Sequence, residues 1–546
     1  MCRKFALFLC LLLLVAAPVR AGSQPHEAVI RNALALPAPR IDGYRLETKG
    51  LNAFYGLRDY RPAWNFAGDK NKAIFTAFLD SINQLVAWHG LIEEKYATGL
   101  MRQLAAADTE DSRLKLELVV TDTLLRLAND LHGDGVNLAQ LYPGWNFQRM
   151  AVDIPALLAG AVAASSINEF FEGLSPKHPA YRDLAGALRF YRDMAAKAPW
   201  TQIQDGPMLR VGDKGQRVSQ LRARLAAEGY ILDTSSPKSA VFDTPLRLAL
   251  QTYQSRNGLQ SDGIAGGITL AALNVPIATR IDQIQANMER WRHMPDTYPP
   301  SRGVVINIAD ASIEITRDGR PIYRGIVIVG QVERKTPFIQ SAVRSLIINP
   351  PWHVPAKIAR ADILPRLRED PHYLEKQGIT IRDSEGDPYG SGIDWKSLPD
   401  EEFNFRLRQQ PGKLNSLGRL KFDFDNSFAV YMHGTPHQEL FEKYERALSS
   451  GCIRLRDPEL VAEILLADTG AWSIERIEAA IAKRKTRWIP FRNPVPIDIV
   501  YWTAFTDEMG HIQFRGDVYD YDRFLIENLR PAAAAPAESA DMGATL

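Results

Sequence analysis

Cysteine is scarce in this chain: only three of its 546 residues are cysteines. Two of them, Cys2 and Cys10, lie in a leader-like N-terminal segment, so Cys452 is the single thiol expected in the mature protein. An internal disulfide is therefore excluded. A lone thiol is either an inert, buried hydrophobe or a reactive group, and its neighbours in the sequence decide between the two.

An excess of charge of either sign is also missing. The whole chain carries a formal net charge of +1, and its first 21 residues hold three basic side chains and no acidic ones. Loss of that segment would leave a net charge of about −2. Such a balance gives no support to nucleic-acid binding, which is typical of strongly basic domains. With 46% hydrophobic and 24% charged residues, the composition is that of a globular protein.

Long hydrophobic runs are lacking, apart from a short one at the start. The stretch 5–17 is apolar and follows two basic residues, but it is too short for a comfortable membrane span. Val19 and Ala21 fit the −3 and −1 positions of a cleavage site before Gly22. We therefore predict a signal peptide over 1–21, export of the chain, and no stable membrane span after cleavage. A retained anchor is the alternative.

Residues 26–205 have a helical pattern. Apolar side chains such as Phe75, Phe78 and Leu79 recur at helical spacing, and alternating runs are few. We predict an α-helical scaffold domain over this range. It contains FYGLRDYRPAWN at 54–65, whose aromatic and arginine side chains we interpret as a packed core with paired arginines rather than as a site.

Residues 206–276 predict a small module of short helices separated by glycine turns, of which Gly212 and Gly215 are the first. The pattern G-D-x-G-x-x-V-x-x-L-x-x-x-L, followed by F-D and D-G-I-x-G, resembles the three-helix peptidoglycan-binding module. That resemblance implies attachment to the cell wall. A simple spacer domain is the alternative, because a fold does not fix a function.

The rest of the chain is predicted to be rich in strands. A connecting helix and linker at 277–301 precede residue 302, where the apolar period changes from helical to alternating. We predict a domain built on a mixed β-sheet at 302–490, further C-terminal strands at 491–530, and a disordered tail at 531–546. The fold class is therefore a multidomain α+β protein.

One segment interrupts the strand-rich domain. Residues 357–420 are charged and are punctuated by proline and glycine, and they come just before the strand that leads to His433. A long segment of this kind in a compact domain is usually functional. We predict that it is an inserted capping segment over a substrate groove.

A histidine at the end of a strand offers the lone thiol a partner. His433 precedes Cys452 by nineteen residues, a distance that lets the chain fold back and bring the two side chains together. A histidine or backbone N–H groups near a thiol are expected to lower its pKa. The carbonyl of Gly434 could orient the imidazole. His437 lies four residues after His433, but Gly434 and Pro436 exclude a helix there, so we expect no metal site.

The order of the motifs separates this chain from familiar cysteine proteases. Papain-like enzymes place cysteine before histidine, and the Gln-Ala-Cys signature of caspases is absent. HGTP at 433–436 followed by SSGCIRL at 449–455 instead resembles the L,D-transpeptidase catalytic domain, whose motif is His, a gap, then Ser/Thr-x-Gly-Cys-hydrophobic-Asn/Arg. INPPWHVP and QQPGKLNSLGRLKF agree with it. Together with the leader, the helical region and the wall-binding module, nearly the whole chain resembles the large periplasmic type.

This resemblance implies acyl transfer between peptidoglycan stem peptides without a cofactor. The resemblance implies that Cys452 is the nucleophile and that His433, oriented by the Gly434 carbonyl, accepts and donates the proton. The backbone amides of Gly451 and Cys452 are the implied oxyanion donors. The implied substrate contacts are Tyr431, Trp352, Ser450 and Arg454. A local structural ion pair is the alternative for Arg454, and packing is the alternative for Trp352.

The resemblance further implies that the product is a 3→3 crosslink between tetrapeptide stems and that the protein acts in cell wall biogenesis and cell shape. It implies a periplasmic location in a Gram-negative envelope. Carbapenems are the implied inhibitors, and wall-synthesis proteins are the implied partners. Three alternatives stay open. The same site would serve an L,D-carboxypeptidase or endopeptidase, in which water resolves the thioester. It would also serve attachment of a wall lipoprotein. A peptidoglycan-binding scaffold without catalysis is the alternative of another class.

Overall fold

The computed structural model describes residues 24–197, 200–231, 240–382 and 393–530. The predicted signal peptide at 1–21 and the predicted tail at 531–546 lie outside these ranges, so both stay predictions. Within the ranges, no helix combines the length and the apolar character needed to cross a membrane.

The N-terminal region is helical, as the apolar spacing predicts, apart from one small hairpin. Its central helix is α5, which is buried along most of its length. The elements in chain order are α1 (Gln24–Ala35), β1 (Arg40–Ile41), β2 (Tyr44–Arg45), α2 (Thr48–Gly56), α3 (Asp69–Trp88), α4 (Thr98–Ala107), α5 (Glu110–His132), α6 (Leu138–Leu141), α7 (Ile154–Ala164), α8 (Ile167–Leu174) and α9 (Pro179–Lys197).

The FYGLRDYRPAWN stretch is part of the core, as interpreted from its composition. Its residues surround Glu117, a buried carboxylate on α5. The hydroxyl of Tyr55 donates to Glu117 Oε1 at 2.8 Å, the Ala63 amide donates to Oε1 at 2.6 Å, and the Trp64 amide donates to Oε2 at 3.1 Å. Burial raises the pKa of Glu117 to about 7, against the pull of these donors. The motif therefore ties a loop to the central helix through one acid.

The next module is a compact helical unit with its own hydrophobic core. It comprises α10 (Gln216–Ala227), α11 (Thr244–Arg256) and α12 (Gly267–Leu273). The helix that follows, α13 (Ile277–His293), is buried on nearly every side from Gln283 onward, and it packs against α9. The range 277–301 was predicted to connect two domains, but a helix buried all round is a core element of a large body.

The strand-rich domain holds a mixed sheet, which confirms the predicted class. Its strands are β3 (Gly303–Asn307), β4 (Ser312–Arg317), β5 (Arg320–Gly330), β6 (Ile339–Ile348), β10 (Leu420–Phe424), β11 (Met432–His433), β12 (Ala447–Ser449), β13 (Ile453–Leu455) and β14 (Arg487–Val500). The order is β12-β5-β13-β11-β10-β6-β14-β3-β4, and β4 also pairs with β5. The sheet therefore closes on itself around a core to which α9 and α13 contribute.

The segment predicted to cap the groove is a folded subdomain. It contains α14 (Ala356–Ile358), a π-helical turn (Ala359–Ile363), α15 (Leu364–Glu369) and α16 (Tyr373–Lys376). A three-stranded sheet of β7 (Trp352–His353), β9 (Arg406–Gln409) and β8 (Ile379–Arg382) completes it. Its own small hydrophobic core makes it a unit that sits on the main sheet rather than a loose loop.

The boundary predicted between 490 and 491 is wrong, because it falls inside a strand. Strand β14 runs from Arg487 to Val500 and pairs with β6 on both sides of that point. A register shift between Pro490 and Val495 lets the strand accommodate its prolines. The remaining elements are α17 (Pro458–Leu466), α18 (Ile474–Ala482), β15 (Ala504–Thr506), β16 (Ile512–Phe514) and α19 (Tyr521–Leu529). Within the described residues, the range 491–530, predicted to hold C-terminal strands, also contains the helix α19.

The acid in the N-terminal core yields a stability prediction. In Glu117→Gln, the amide group must point its NH2 at a backbone N–H, whichever way it is turned. We expect the free energy of unfolding to fall by about 1–3 kcal/mol, the usual cost of an unsatisfied buried polar group. Chemical denaturation measures this. Glu110→Gln on the same helix is the matched control, because Glu110 is exposed. Equal stability of the two variants would contradict the assignment.

Candidate active site

The site lies where two short parallel strands end. In the register of β11 and β13, Met432 faces Ile453 and His433 faces Arg454. Met432 and Ile453 are fully buried in the core of the sheet. Since successive side chains of a strand point to opposite faces, His433 and Arg454 project from the other face.

The same alternation places the two preceding residues. Tyr431 and Cys452 come one position before the paired residues Met432 and Ile453, and the Ile453 amide donates to the Tyr431 carbonyl at 3.1 Å. Tyr431 and Cys452 therefore share the outer face with His433. The sequence predicts that the histidine and the thiol come together, and the register brings them to one surface.

A cavity of about 1000 Å³ opens over this surface. It is bounded by the main sheet on one side and by the capping segment on the other. Among its lining residues are the predicted Trp352, Tyr431, His433, Ser450, Gly451, Cys452 and Arg454, together with Lys357, Asp362, Arg366 and Tyr373 of the capping segment. The predicted site residues are thus gathered in one place, with Gly434 directly behind His433.

His433 is fixed by its own neighbour. Its buried ring places Nδ1 2.5 Å from the Gly434 carbonyl oxygen. A carbonyl only accepts, so Nδ1 carries the proton and Nε2 holds the lone pair. Burial, and next the charge of Arg454, lower the pKa of His433 to about 3. The imidazole is therefore neutral at every physiological pH.

The thiol is protonated at rest. Burial raises the pKa of Cys452 above that of an ordinary cysteine, although the backbone and hydroxyl of Tyr431 act in the opposite direction. The Sγ atom lies 3.9 Å from the carbonyl oxygen of Ala429. This corrects the expectation that the surroundings lower the pKa of this thiol. The resting pair is a neutral thiol beside a neutral imidazole.

Tyr431 is a direct neighbour of the sulfur. Burial, and next the neighbouring Cys452 thiol, raise the pKa of Tyr431 well above the usual value, so that it stays a phenol beside Cys452 and Trp352. The Tyr431 and His433 rings lie 5.6 Å apart, and Lys421 Nζ sits 4.1 Å from the centroid of the Tyr431 ring. Trp352 thus contacts the site through Tyr431 as well as lining the cavity.

The turn before Cys452 is held by a residue that sequence reasoning missed. The hydroxyl of Ser449 donates to the Cys452 carbonyl at 2.5 Å and accepts from the Gly451 amide at 3.1 Å. Gly451 has φ +110°, a conformation that favours glycine. Its amide is engaged, so of the two predicted oxyanion donors only the Cys452 amide is left for a ligand. Ser449 occupies the Ser/Thr position of the Ser/Thr-x-Gly-Cys motif, and this match could have identified it from the sequence.

The predicted substrate contacts Arg454 and Ser450 differ in their partners. Arg454 forms no ion pair with any carboxylate in the described ranges, and its Nε is buried without a hydrogen-bond partner. The structural alternative for this residue is thereby disfavoured. Ser450 accepts a hydrogen bond from Arg334 Nη1 at 2.8 Å. Arg334 itself was not singled out from the sequence, since nothing local marks it.

Three family models match the chain. They are the "Scaffold domain" at 49–188, the "Putative peptidoglycan binding domain" at 214–273 and the "L,D-transpeptidase catalytic domain" at 301–476. The last of these contains His433 and Cys452. The helical region, the small module and the strand-rich domain thus each match a separate model.

A curated protein of Haemophilus influenzae, named "Putative L,D-transpeptidase", is 37% identical over 244 residues, which are 44% of this chain and 48% of that protein. The chain thus spans about half the length of this relative.

Two solved L,D-transpeptidase structures also match. The one from Xylanimonas cellulosilytica has 15% identity over 54% of this chain and 98% of its own, with a TM-score of 0.16. The one from Stackebrandtia nassauensis has 13% identity over 55% and 96%, with a TM-score of 0.20. TM-scores this low add nothing to the description of the fold. Residues 301–476 of the chain thus match the L,D-transpeptidase catalytic domain, beside regions that match a scaffold domain and a peptidoglycan-binding domain.

Proposed function

We propose that this protein is an exported peptidoglycan L,D-transpeptidase that forms 3→3 crosslinks through a thioester on Cys452. The observation that carries the proposal is the shared face of β11 and β13. It presents a fixed base, His433, and a thiol to one large cavity within the region that matches the catalytic domain.

The first half-reaction uses both neutral groups. As Sγ of Cys452 attacks the carbonyl between the third residue of a tetrapeptide stem and its terminal D-alanine, Nε2 of His433 takes the thiol proton. The Gly434 carbonyl stabilises the imidazolium that forms. Collapse of the tetrahedral intermediate breaks the C–N bond, the imidazolium returns the proton to the leaving amine, and D-alanine departs.

Negative charge on the carbonyl oxygen needs donors at the moment of attack. The Cys452 amide and the Tyr431 hydroxyl both adjoin the sulfur, and neither is a charged group that must be desolvated. Because the Tyr431 phenol resists ionisation, it stays a donor throughout the reaction. We therefore assign these two groups to the oxyanion in place of the Gly451 amide.

The second half-reaction needs room for an acceptor. A cavity of about 1000 Å³ is at the upper end of the range for binding pockets. The amine of a second stem attacks the thioester, His433 Nε2 takes its proton, and the thiol is restored. Water in place of the amine would give a carboxypeptidase. A lipoprotein lysine would give wall attachment.

Location and partners follow from the same proposal. A leader at 1–21 would deliver the chain to the periplasm, and the module matched at 214–273 would hold it on peptidoglycan. Wall-synthesis proteins would then be its neighbours, and cell shape would depend on the crosslinks it makes. Carbapenems, whose strained amide can be opened by a thiolate, would acylate the same cysteine.

The decisive test is acylation of the full chain by a tetrapeptide stem, followed by intact-protein mass spectrometry. We expect a tripeptidyl thioester on the wild type and none on Cys452→Ala. Product analysis then separates the alternatives: dimers indicate transfer, and tripeptide alone indicates hydrolysis. Binding to purified sacculi with no acylation by stem or carbapenem would overturn the catalytic proposal in favour of a wall-binding scaffold.

The two pKa shifts predict an unusual pH profile. With its pKa lowered to about 3, His433 keeps its basic form from neutral pH down to about pH 4. Acylation by a stem should therefore show no loss around pH 6.5, where an ordinary histidine becomes protonated. Alkylation of Cys452 by iodoacetamide should rise with an apparent pKa above that of an ordinary cysteine, because burial favours the thiol. A thiolate already present at pH 6 would contradict both assignments.

The unpaired guanidinium of Arg454 predicts a binding defect. In Arg454→Met the KM for stems should rise about 10- to 100-fold, since a charge-assisted hydrogen bond to a carboxylate is worth about 1.5–3 kcal/mol. A stem with its side-chain carboxylates amidated should bind the wild type as weakly as the variant. Arg456→Met is the matched control, because Arg456 already pairs with Asp457. An equal effect on both stems would contradict a role in carboxylate binding.

A further inference from the structure

One arginine joins the nucleophile turn to the capping segment. Nη1 of Arg334 donates to Ser450 Oγ at 2.8 Å and to Asp362 Oδ2 at 2.6 Å, while Nη2 donates to Asp362 Oδ1 at 2.6 Å. Ser450 stands two residues before Cys452, and Asp362 belongs to the capping segment. A single guanidinium therefore contacts both walls of the cavity.

The ion pair differs from an ordinary surface pair. Two parallel N–H···O bonds hold the carboxylate, and this bidentate geometry gives direction as well as attraction. The Arg334 side chain is only 16% exposed, whereas that of Asp362 is 41% exposed. Exposed pairs contribute little, but a planar, largely buried guanidinium is held in place and loses less freedom on binding.

The backbone on which Arg334 lies also supports the turn. The Gln331 amide donates to the Ser449 carbonyl at 2.9 Å, and the Thr336 hydroxyl donates to the Gly451 carbonyl at 2.8 Å. The segment 331–336 thus packs against residues 449–451 and holds their backbone carbonyls. The Arg334 side chain connects the same segment to the capping segment.

On the other side of the link, Asp362 sits in the π-helical turn Ala359–Ile363. A π turn adds a residue to the helical repeat and changes the direction in which the neighbouring side chains point. The far end of the capping segment also lies against the loop that follows His433: a Cβ on Gly418 would lie 2.6 Å from the Thr435 amide nitrogen and would also meet the backbone of Gly434. The capping segment therefore contacts the loop of the base directly and the turn of the nucleophile through Arg334.

We propose that Arg334 is a positioning residue that ties the seating of the capping segment to the geometry of the nucleophile turn. When Asp362 holds the guanidinium, Arg334 holds Ser450 and with it the Ser450–Gly451–Cys452 peptide planes that present the oxyanion donor. When the capping segment lifts, Ser450 loses this partner and the turn loosens. The identity of the acyl donor in this scheme rests on the proposed function, but the mechanical link does not.

The test compares two neutralising substitutions in the capping segment of the full-length protein. Asp362→Asn breaks the link. Asp370→Asn is the matched control, because Asp370 pairs with Lys376 inside the capping segment and does not touch the turn. We expect Asp362→Asn to speed amide hydrogen exchange both in the capping segment and at 449–453. It should slow acylation of Cys452 by a tetrapeptide stem roughly 10- to 100-fold, the order expected when a reacting group is displaced by about 1 Å. Asp370→Asn should leave the turn and the rate unchanged.

Two further variants separate positioning from folding. Ser450→Ala should slow acylation and loosen 449–453 while the capping segment keeps its exchange rates, because only the second half of the link is cut. Asp362→Glu keeps a carboxylate and should recover most of the rate. Faster exchange in the capping segment of Asp362→Asn with an unchanged turn and an unchanged rate would overturn the proposal. So would a Ser450→Ala variant indistinguishable from the wild type.

Failure of the proposed function gives a different pattern. If the wild type forms no thioester with any stem, the acyl donor has been misidentified. The link is then judged on exchange at 449–453 and on the rate of Cys452 alkylation by iodoacetamide. A changed turn in Asp362→Asn but not in Asp370→Asn would support the link without the transpeptidase, and no change would remove it.

Discussion

The arrangement of the site depends on one packing constraint, the burial of Met432 and Ile453 in the core of the closed sheet. Two short parallel strands would be a weak pair on their own, but a shift of one residue would push these apolar side chains out and pull polar ones in. The register is therefore fixed by the core, and the outer face follows from it. His433 and Cys452 lie on the same surface because the adjacent residues, Met432 and Ile453, are buried in the same core. The shared outer face of His433 and Cys452 is thus stabilised by buried residues on the opposite face of the same strands.

That same burial sets the chemistry. A half-enclosed thiol and an enclosed imidazole both avoid charge, and the adjacent Arg454 further disfavours an imidazolium. A site of this kind stores no thiolate that stray electrophiles could consume. In the reaction proposed above, proton transfer would accompany attack, and the reaction would then depend on a bound carbonyl at the correct distance. Arg454, whose charge disfavours the imidazolium, is also the residue proposed above to bind a stem carboxylate. Binding of an anionic substrate would therefore reduce the very charge that disfavours the imidazolium.

The sequence was sufficient for the parts that depend on local pattern. Helical spacing, strand alternation and the two motifs predicted the class of each region and the residues His433, Gly434 and Cys452. It was not sufficient where long-range packing decides. The direction of the shift in the Cys452 pKa depends on burial. The hydrogen bond of the Gly451 amide depends on the orientation of the Ser449 hydroxyl. Strand β14 continues past Pro490 because a register shift between Pro490 and Val495 accommodates its prolines. The link from Arg334 to Asp362 joins residues 28 positions apart that no periodicity connects.

The N-terminal helices are more than an attachment. Tyr142 stacks on Phe338 at 5.0 Å between ring centroids, and its hydroxyl accepts from Arg290 at 3.0 Å. Arg290 on α13 in turn donates to Asp522 at 2.6 Å. A buried guanidinium of this kind must keep all its partners, because an unpaired buried charge is strongly destabilising. The helical region, α13 and α19 are therefore held as one body, and α19 follows Tyr519, whose hydroxyl accepts from the Thr336 amide at 3.1 Å. Thr336 holds the Gly451 carbonyl, so the helical region and the nucleophile turn belong to the same continuous set of contacts.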